Sequence, residues 1–347
     1  MSGENMMKTA VIEEPGRIDI RELPMPEPGE YGALCKMLYG ATCTGTDGHL
    51  IRGKIPWPVY YPTAFGHESV GRVVEVGKKV RNYKIGDIIT RVGLRESDCK
   101  KAGLNWNWGG YSTHGVATDH RAMKDDGLSE AEYGAFRVNQ VVPPEIDPRD
   151  ATLIITWRET LSFATRMGVC KGASVLVLGS GGNGLSFVSM SKALGASYVA
   201  AVGGAGREPN ARRAGVDAYF DYRSGDWAGA LSSGEKFDFI IDAVAAPDGL
   251  GKVLSCLKPG GACGIYGLEI KGADPVLIAP LASHGFIFYA GGYDEEETHD
   301  RVIELILRDA LDASAWLEKD REFGLDEIKS AFAALNEKRF VKALIKL

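Results

Sequence analysis

The sequence predicts an α/β protein in which an irregular, barrel-like β domain is joined to a doubly wound parallel sheet. Three observations carry that expectation. From residue 7 to about 92, short apolar runs and alternations such as "KTAVIEE", "RIDIREL", "GALCKMLYGA" and "SVGRVVEVG" are separated by Gly and Pro. From "ASVLVLGSG" onward, strand-like and helix-like stretches alternate at the spacing of βαβ units. With 347 residues and 45% apolar content, the chain is too long for one comfortable core.

Taken in order, the β-rich half ends near residue 92. The segment 94–130 then loses periodicity, is polar and Gly-rich, and carries Trp106, Trp108 and Tyr111, which reads as a surface lobe serving as a lid or subunit contact. "DPRDATLIITWRETLSFATRMG" predicts a helix or helix pair capped near Asp147 or Asp150. Five strands follow, "ASVLVLGSG", "YVAAVGG", "FDFIIDAVA", "ACGIYGL" and "GFIFYAGG", with helices at "GLSFVSMSKALG", "EPNARRAG" and "GLGKVLSCLKPGG". After about residue 293 come two helical stretches and a strand, "FVKALIKL", suited to return to the first domain. The expected domains are therefore 1–162 with 293–347, and 163–292.

Charge and composition narrow the function. A net charge of −6 with both signs mixed offers no basic face to a phosphate backbone, which excludes nucleic acid as a partner. No uncharged apolar stretch reaches membrane-spanning length and no secretory leader pattern opens the chain, so a soluble cytoplasmic protein is expected. The six cysteines include no CxxC pair, so neither a disulfide framework nor a four-cysteine zinc knuckle is expected.

"VLVLGSGGNGL" places Gly179, Gly181 and Gly184 in GxGxxG spacing between a strand and a helix, a dinucleotide-binding arrangement. Gly179 permits the tight turn, Gly181 lets a pyrophosphate approach the backbone, and Gly184 packs the helix on the strand. Ser180, Gly182, Asn183 and Leu185 complete the loop, where helix N–H groups face the phosphates. About 20 residues on, where an NAD-binding chain carries Asp or Glu, stands Gly203, followed by Arg207. No carboxylate repels a 2′-phosphate there and a guanidinium can grip it, so NADP(H) is favoured over NAD(H). Tyr222 and Arg223 are candidate walls of the adenosine site, and Arg207, Arg212 and Arg213 also suit the solvated face of a short helix. Further strand ends put Ala243, Gly267 and Gly291 beside the cofactor, Gly267 and Gly291 next to the nicotinamide, with Trp57, Asn107 and Glu269 as entrance residues.

"CTGTDGH", "AFGHESVGRVVEVG" and "WRETLSF", in that order before the glycine loop, resemble the CxTDxH, GHE and EPLS segments of the zinc-containing medium-chain dehydrogenases. The resemblance spans nearly the whole chain and is nearest to the polyol, threonine and glucose dehydrogenases. It implies a GroES-like catalytic domain, a Rossmann domain and one catalytic zinc held by Cys43, His67 and either Glu68 or Glu159. It also implies that Thr46 takes the substrate proton and passes it to His49, with Glu68 beside them. A homodimer or homotetramer is expected by the same resemblance. Two departures stand out. Thr44, not a cysteine, precedes Gly45, so either a bulge lets Cys43 reach the metal or Thr44 faces an altered site. The lobe holds Cys99 alone, so no structural zinc is expected. Glu159 also suits a helix carboxylate paired with Arg158 or Arg166, while Cys35, Cys170, Cys256 and Cys263 suit packing.

The expected activity is hydride transfer between NADP(H) and a secondary hydroxyl or ketone of a sugar, polyol or cyclitol. The alternatives are a zinc-free quinone or enoyl reductase, and a catalytically silent NADP(H)-binding sensor.

Overall fold

The computed structural model describes residues 6–246, 249–267 and 285–347. The chain divides into two compact units, one of residues 1–155 with 317–347 and one of residues 156–316. The expected boundary at 293 therefore falls inside the second unit, whose helix His299–Leu307 precedes the crossover back.

The first unit is built on two sheets. A four-stranded sheet runs in the order Arg17–Pro24, Met6–Glu14, Thr63–Ala64, Asn105–Trp106. A larger sheet runs Glu322–Gly324, Leu344–Lys346, Gly32–Ala41, Glu68–Val76, Ile88–Thr90, Val141–Val142, and His114–Thr118 also pairs with Gly32–Ala41. Alternation explains the central strand: Ala33, Cys35 and Met37 point into a core with Val73, Ile89 and Ala117. The closing strand joins as its pattern suggests, with Leu344 opposite Ala41.

The segment 94–130 departs from the expected surface lobe. It contributes two strands, and Cys99 and Tyr111 are core residues. Tyr111 packs edge-on against Phe65, with ring centroids 5.0 Å apart. Only Trp106 keeps the exposed character expected of the three aromatics, at 40%.

The second unit is a six-stranded parallel sheet in the order Ala218–Asp221, Tyr198–Gly203, Ser174–Leu178, Phe237–Asp242, Leu257–Ile265, Ile287–Tyr289. This is the doubly wound arrangement, with the strand order reversing beside Ser174–Leu178. The central strand is buried at all five positions, which is why it reads as a continuous apolar run. The sixth strand, Ala218–Asp221, is four half-buried residues at an edge, too short and mixed to show in the pattern. The stretch expected as one helix at "GLGKVLSCLKPGG" is helical over Gly249–Val253, passes through a short 3₁₀ turn, and is already strand from Leu257. Pro259, Gly260 and Gly261, which have low helix propensity, lie inside that strand. Asp147 caps the helix Pro148–Ala151 by accepting from Arg149 N (2.9 Å), ahead of Ile154–Met167. Cys170 is exposed, not packed as expected.

Candidate functional site

Strand register assembles the first site. Ala41 lies opposite Glu68 on one side and opposite Leu344 on the other, so the residues just beyond Ala41 meet both neighbours. Cys43 leaves the strand end, His67 precedes the facing strand, and Lys342 sits just before the third. The thiol, imidazole and carboxylate of Cys43, His67 and Glu68 offer ligand atoms that all lie within 4.8 Å of one another, and all three side chains are buried. Gly66 makes the approach possible: its φ is +97°, and a Cβ there would lie 2.5 Å from the Tyr111 ring.

The stretch "CTGTDGH" is a turn followed by a helix, Thr46–Arg52, not a link between strands. Cys43 is buried and Thr44 exposed, so the thiol and not the hydroxyl faces the cluster. Asp47 fixes that turn. Its Oδ2 accepts from Cys43 N at 2.9 Å and from the Tyr111 hydroxyl at 2.6 Å. Its Oδ1 lies 3.4 Å from His67 Nδ1, while His67 Nε2 lies 3.9 Å from Glu68 Oε1. Neither Asp47 Oδ1 nor His67 Nδ1 has a hydrogen-bond partner, so at 3.4 Å the two meet as a charge pair across a buried gap. Thr46 and His49 are three residues apart on the same helix, which puts them on one face.

Burial disfavours charge on His67, but Asp47 and Cys43 outweigh it and push its pKa up to about 10. The surroundings therefore seek positive charge. A zinc ion meets that demand with thiolate, imidazole and carboxylate ligands, and ligand atoms around one zinc sit ~3–4 Å apart, which a cluster of this size reaches by small rotamer changes. The residues present fit the metal.

Lys342 is the residue that sequence reasoning missed. It is 2% exposed, and its ammonium donates to both Glu68 oxygens at 2.6 and 2.5 Å. Burial works against its charge, yet Glu68 and then Cys43 raise its pKa above the ordinary lysine value. Asp47 and Tyr111 were also missed as site residues. No local signal marks Lys342, since it sits in an apolar run like any strand lysine.

The second unit holds the remaining candidates. Gly179 has φ +108°, Gly181 has open space where a Cβ would stand, and a Cβ on Gly184 would lie 2.2 Å from Gly179 O. Gly181 caps the helix Gly182–Ala193, which begins with Asn183 in its first turn. Leu185 does not fit the loop as expected: its side chain is in the core and its N–H bonds Gly181 O at 3.0 Å. Ser180 is buried beside Gly203, the last residue of its strand. Arg207 ends a short turn, Ala205–Arg207, and Tyr222 N donates to Gly203 O at 3.1 Å. Ala243 and Gly267 follow the strands Phe237–Asp242 and Leu257–Ile265, and Gly291 follows Ile287–Tyr289.

Glu159 lies on the helix Ile154–Met167 and accepts from the Tyr266 hydroxyl at 2.6 Å. The arginines expected to neutralise it go elsewhere: Arg158 pairs with Glu295 at 2.9 Å and Arg166 with Glu297 at 2.7 Å. Of the entrance residues, Asn107 donates to Thr63 Oγ1 at 2.8 Å, Trp57 is exposed, and Glu269 lies outside the described residues.

Residues 182–307 match the family model described as zinc-binding dehydrogenase, and residues 29–132 match the alcohol dehydrogenase GroES-like domain. The L-galactonate-5-dehydrogenase of Escherichia coli (strain K12) is 29% identical over 280 residues, covering 78% of this chain and 79% of that protein. Aldehyde reductase YahK of the same strain is 30% identical over 257 residues, covering 70% of each. Among solved structures, a Sinorhizobium meliloti 1021 protein described as a zinc-binding dehydrogenase and bound to NADP has a TM-score of 0.79 at 23% identity, covering 99% of this chain and 100% of that one. The 2R,3R-butanediol dehydrogenase from Bacillus subtilis has a TM-score of 0.78 at 21% identity, covering 98% and 99%.

Fold and matches together define an oxidoreductase of the alcohol dehydrogenase type, an enzyme with a GroES-like and a Rossmann domain. The chain belongs to the zinc-containing medium-chain dehydrogenase/reductase family. Among the described residues, no helix is long and apolar enough to cross a membrane.

Proposed function

We propose that the protein is a zinc-dependent, NADP(H)-preferring dehydrogenase acting on a secondary hydroxyl or ketone of a sugar, polyol or cyclitol, with one catalytic zinc. The observation that carries the reading is the buried cluster of Cys43, His67 and Glu68 with its excess of acidic groups. These three residues would hold the metal and leave a fourth position open for substrate. Bound zinc would draw electron density from a substrate hydroxyl and bound NADP⁺ would accept the hydride.

The chain's own residues do the rest. Asp47 sets a negative charge beside His67 Nδ1, while Nε2 lies on the Glu68 side of the ring. Lys342 balances Glu68 and keeps its carboxylate in place. Thr46, at the start of its helix, accepts the proton released from the hydroxyl, and His49 carries it on toward water. The coenzyme preference rests on Gly203, which offers no carboxylate to the ribose, and on Arg207 with Tyr222 and Arg223 after it. The substrate class is supported by relatives named for L-galactonate and 2R,3R-butanediol, both of which carry secondary hydroxyls. A cytoplasmic homodimer or homotetramer completes the reading.

Protein purified without chelator is analysed for metal, then assayed on sugars, alditols and inositols with NAD and NADP separately. One zinc per chain and NADP-dependent oxidation of a polyhydroxylated substrate are expected. Turnover without metal would replace this reading with a zinc-free reductase, and tight NADPH binding without any turnover would replace it with a sensor.

A further inference from the structure

The strand-end position that reads simply as a missing acid is occupied by other groups. Tyr219, on the edge strand Ala218–Asp221, places its Oη 2.8 Å from Gly204 O and 2.9 Å from Ser180 Oγ. A tyrosine has one proton and a carbonyl only accepts, so Tyr219 donates to Gly204 and the Ser180 hydroxyl is left to donate to Tyr219. The three groups are thereby tied across two adjacent strands and the glycine loop. A Cβ added to Gly203 would lie 2.0 Å from Ser180 Oγ, 2.2 Å from Tyr219 Oη and 2.5 Å from Ser180 Cβ. Ordinary carbon contacts are about 3.5–4 Å, so no side chain can begin there while the pair is in place.

We propose that Ser180 and Tyr219 form a lock that closes the Gly203 position to a ribose-binding carboxylate and so determines coenzyme choice. These two hydroxyl-bearing side chains then act with Gly203, since they occupy the space a side chain at 203 would need. On the same edge, Tyr222 lies beside Gly204, 3.7 Å from where its Cβ would stand, and the Arg223 guanidinium sits 5.2 Å above the Tyr222 ring. A ligand carrying a 2′-phosphate meets the Tyr222 ring and the Arg223 guanidinium there and no acid from position 203, the nearby acids being Asp221, opposite Gly203 on the edge strand, and Glu208. The inference rests on the NADP(H) reading above and extends it to two residues that reading does not use in this way.

The test compares wild type, Gly203→Asp, the pair Ser180→Gly/Tyr219→Phe, and the triple variant. Each is titrated with NADPH and NADH by tryptophan fluorescence and with 2′,5′-ADP and 5′-ADP by calorimetry, which requires neither metal nor turnover. Gly203→Asp alone is expected to gain no affinity for NADH. The triple variant is expected to bind NADH at least about tenfold tighter than the pair variant, the scale of a charge-assisted hydrogen bond, and to lose 2′,5′-ADP by a similar factor. A full gain from Gly203→Asp alone overturns the lock, and so does a triple variant no better than the pair. If circular dichroism shows Gly203→Asp unfolded, the triple against the pair decides. The wild-type preference for 2′,5′-ADP over 5′-ADP tests the coenzyme reading separately: no preference removes that reading, while the variant comparison still decides whether the position is closed.

Discussion

In the first unit the site is made of side chains: Cys43, His67, Glu68, Asp47 and Lys342, all buried, drawn together from three strands and a helix. In the second it is made of backbone: Gly179, Gly181 and Gly184 shape a turn whose use depends on what is not there. The first concentrates charge in a low-dielectric interior, where each group depends on its partners. The second presents N–H groups and empty space, where most single changes act through shape. Damage to the first should therefore be steep and specific to metal and chemistry, and damage to the second graded and specific to the coenzyme.

The sharpest break is His67→Ala. Activity is expected to fall by at least about a thousandfold and bound zinc to be lost, because a three-ligand site loses its central imidazole. Dinucleotide affinity should be unchanged, and metal analysis beside an NADPH titration checks both. If NADPH binding fell in parallel, the two sites would not be separable as described.

Next is Lys342→Met. Leaving Glu68 buried without its ammonium should cost about 3 kcal/mol, read from denaturant unfolding. Lys342→Met combined with Glu68→Leu should recover much of that loss, since no unpaired charge remains. A single variant as stable as wild type would show that the pair is not needed for folding.

Arg207→Ala should weaken NADPH binding by about ten- to a hundredfold and leave NADH binding nearly unchanged, the signature of a lost phosphate contact. Equal effects on both coenzymes would remove Arg207 from the 2′-phosphate site. The smallest effect is expected from Arg212→Ala. Its guanidinium pairs with exposed Glu208 at 2.9 Å and donates to Asp217 O at 2.8 Å, so the loss should be about 0.5–1.5 kcal/mol in thermal unfolding, with no change for either coenzyme.

What could be read in the sequence follows the same division. A glycine loop is contiguous, so GxGxxG and the strand before it are visible in one short window, as are His67 and Glu68 side by side. Cys43 was ambiguous, because only the turn held by Asp47 decides whether it or Thr44 faces inward. Lys342 was invisible: its partner is 274 residues away, and nothing local distinguishes it from a solvated strand lysine. Tyr111 was misleading for a related reason. Its aperiodic, Gly-rich surroundings look like a surface loop, yet the close approach at Gly66 draws its ring into the core. Glu159 shows the limit of charge pairing by proximity in sequence, since both nearby arginines find acids from 295–297 instead.

The late position of Lys342 also bears on how the protein is made. The second unit is one uninterrupted stretch, 156–316, and is fully synthesised before Lys342 leaves the ribosome. The first unit begins first and must wait for the strand Leu344–Lys346, so during translation Glu68 is a buried-to-be carboxylate still lacking its counter-ion. On that order of events, the second unit is complete in sequence while the cluster of Cys43, His67 and Glu68 still waits for its last neighbour.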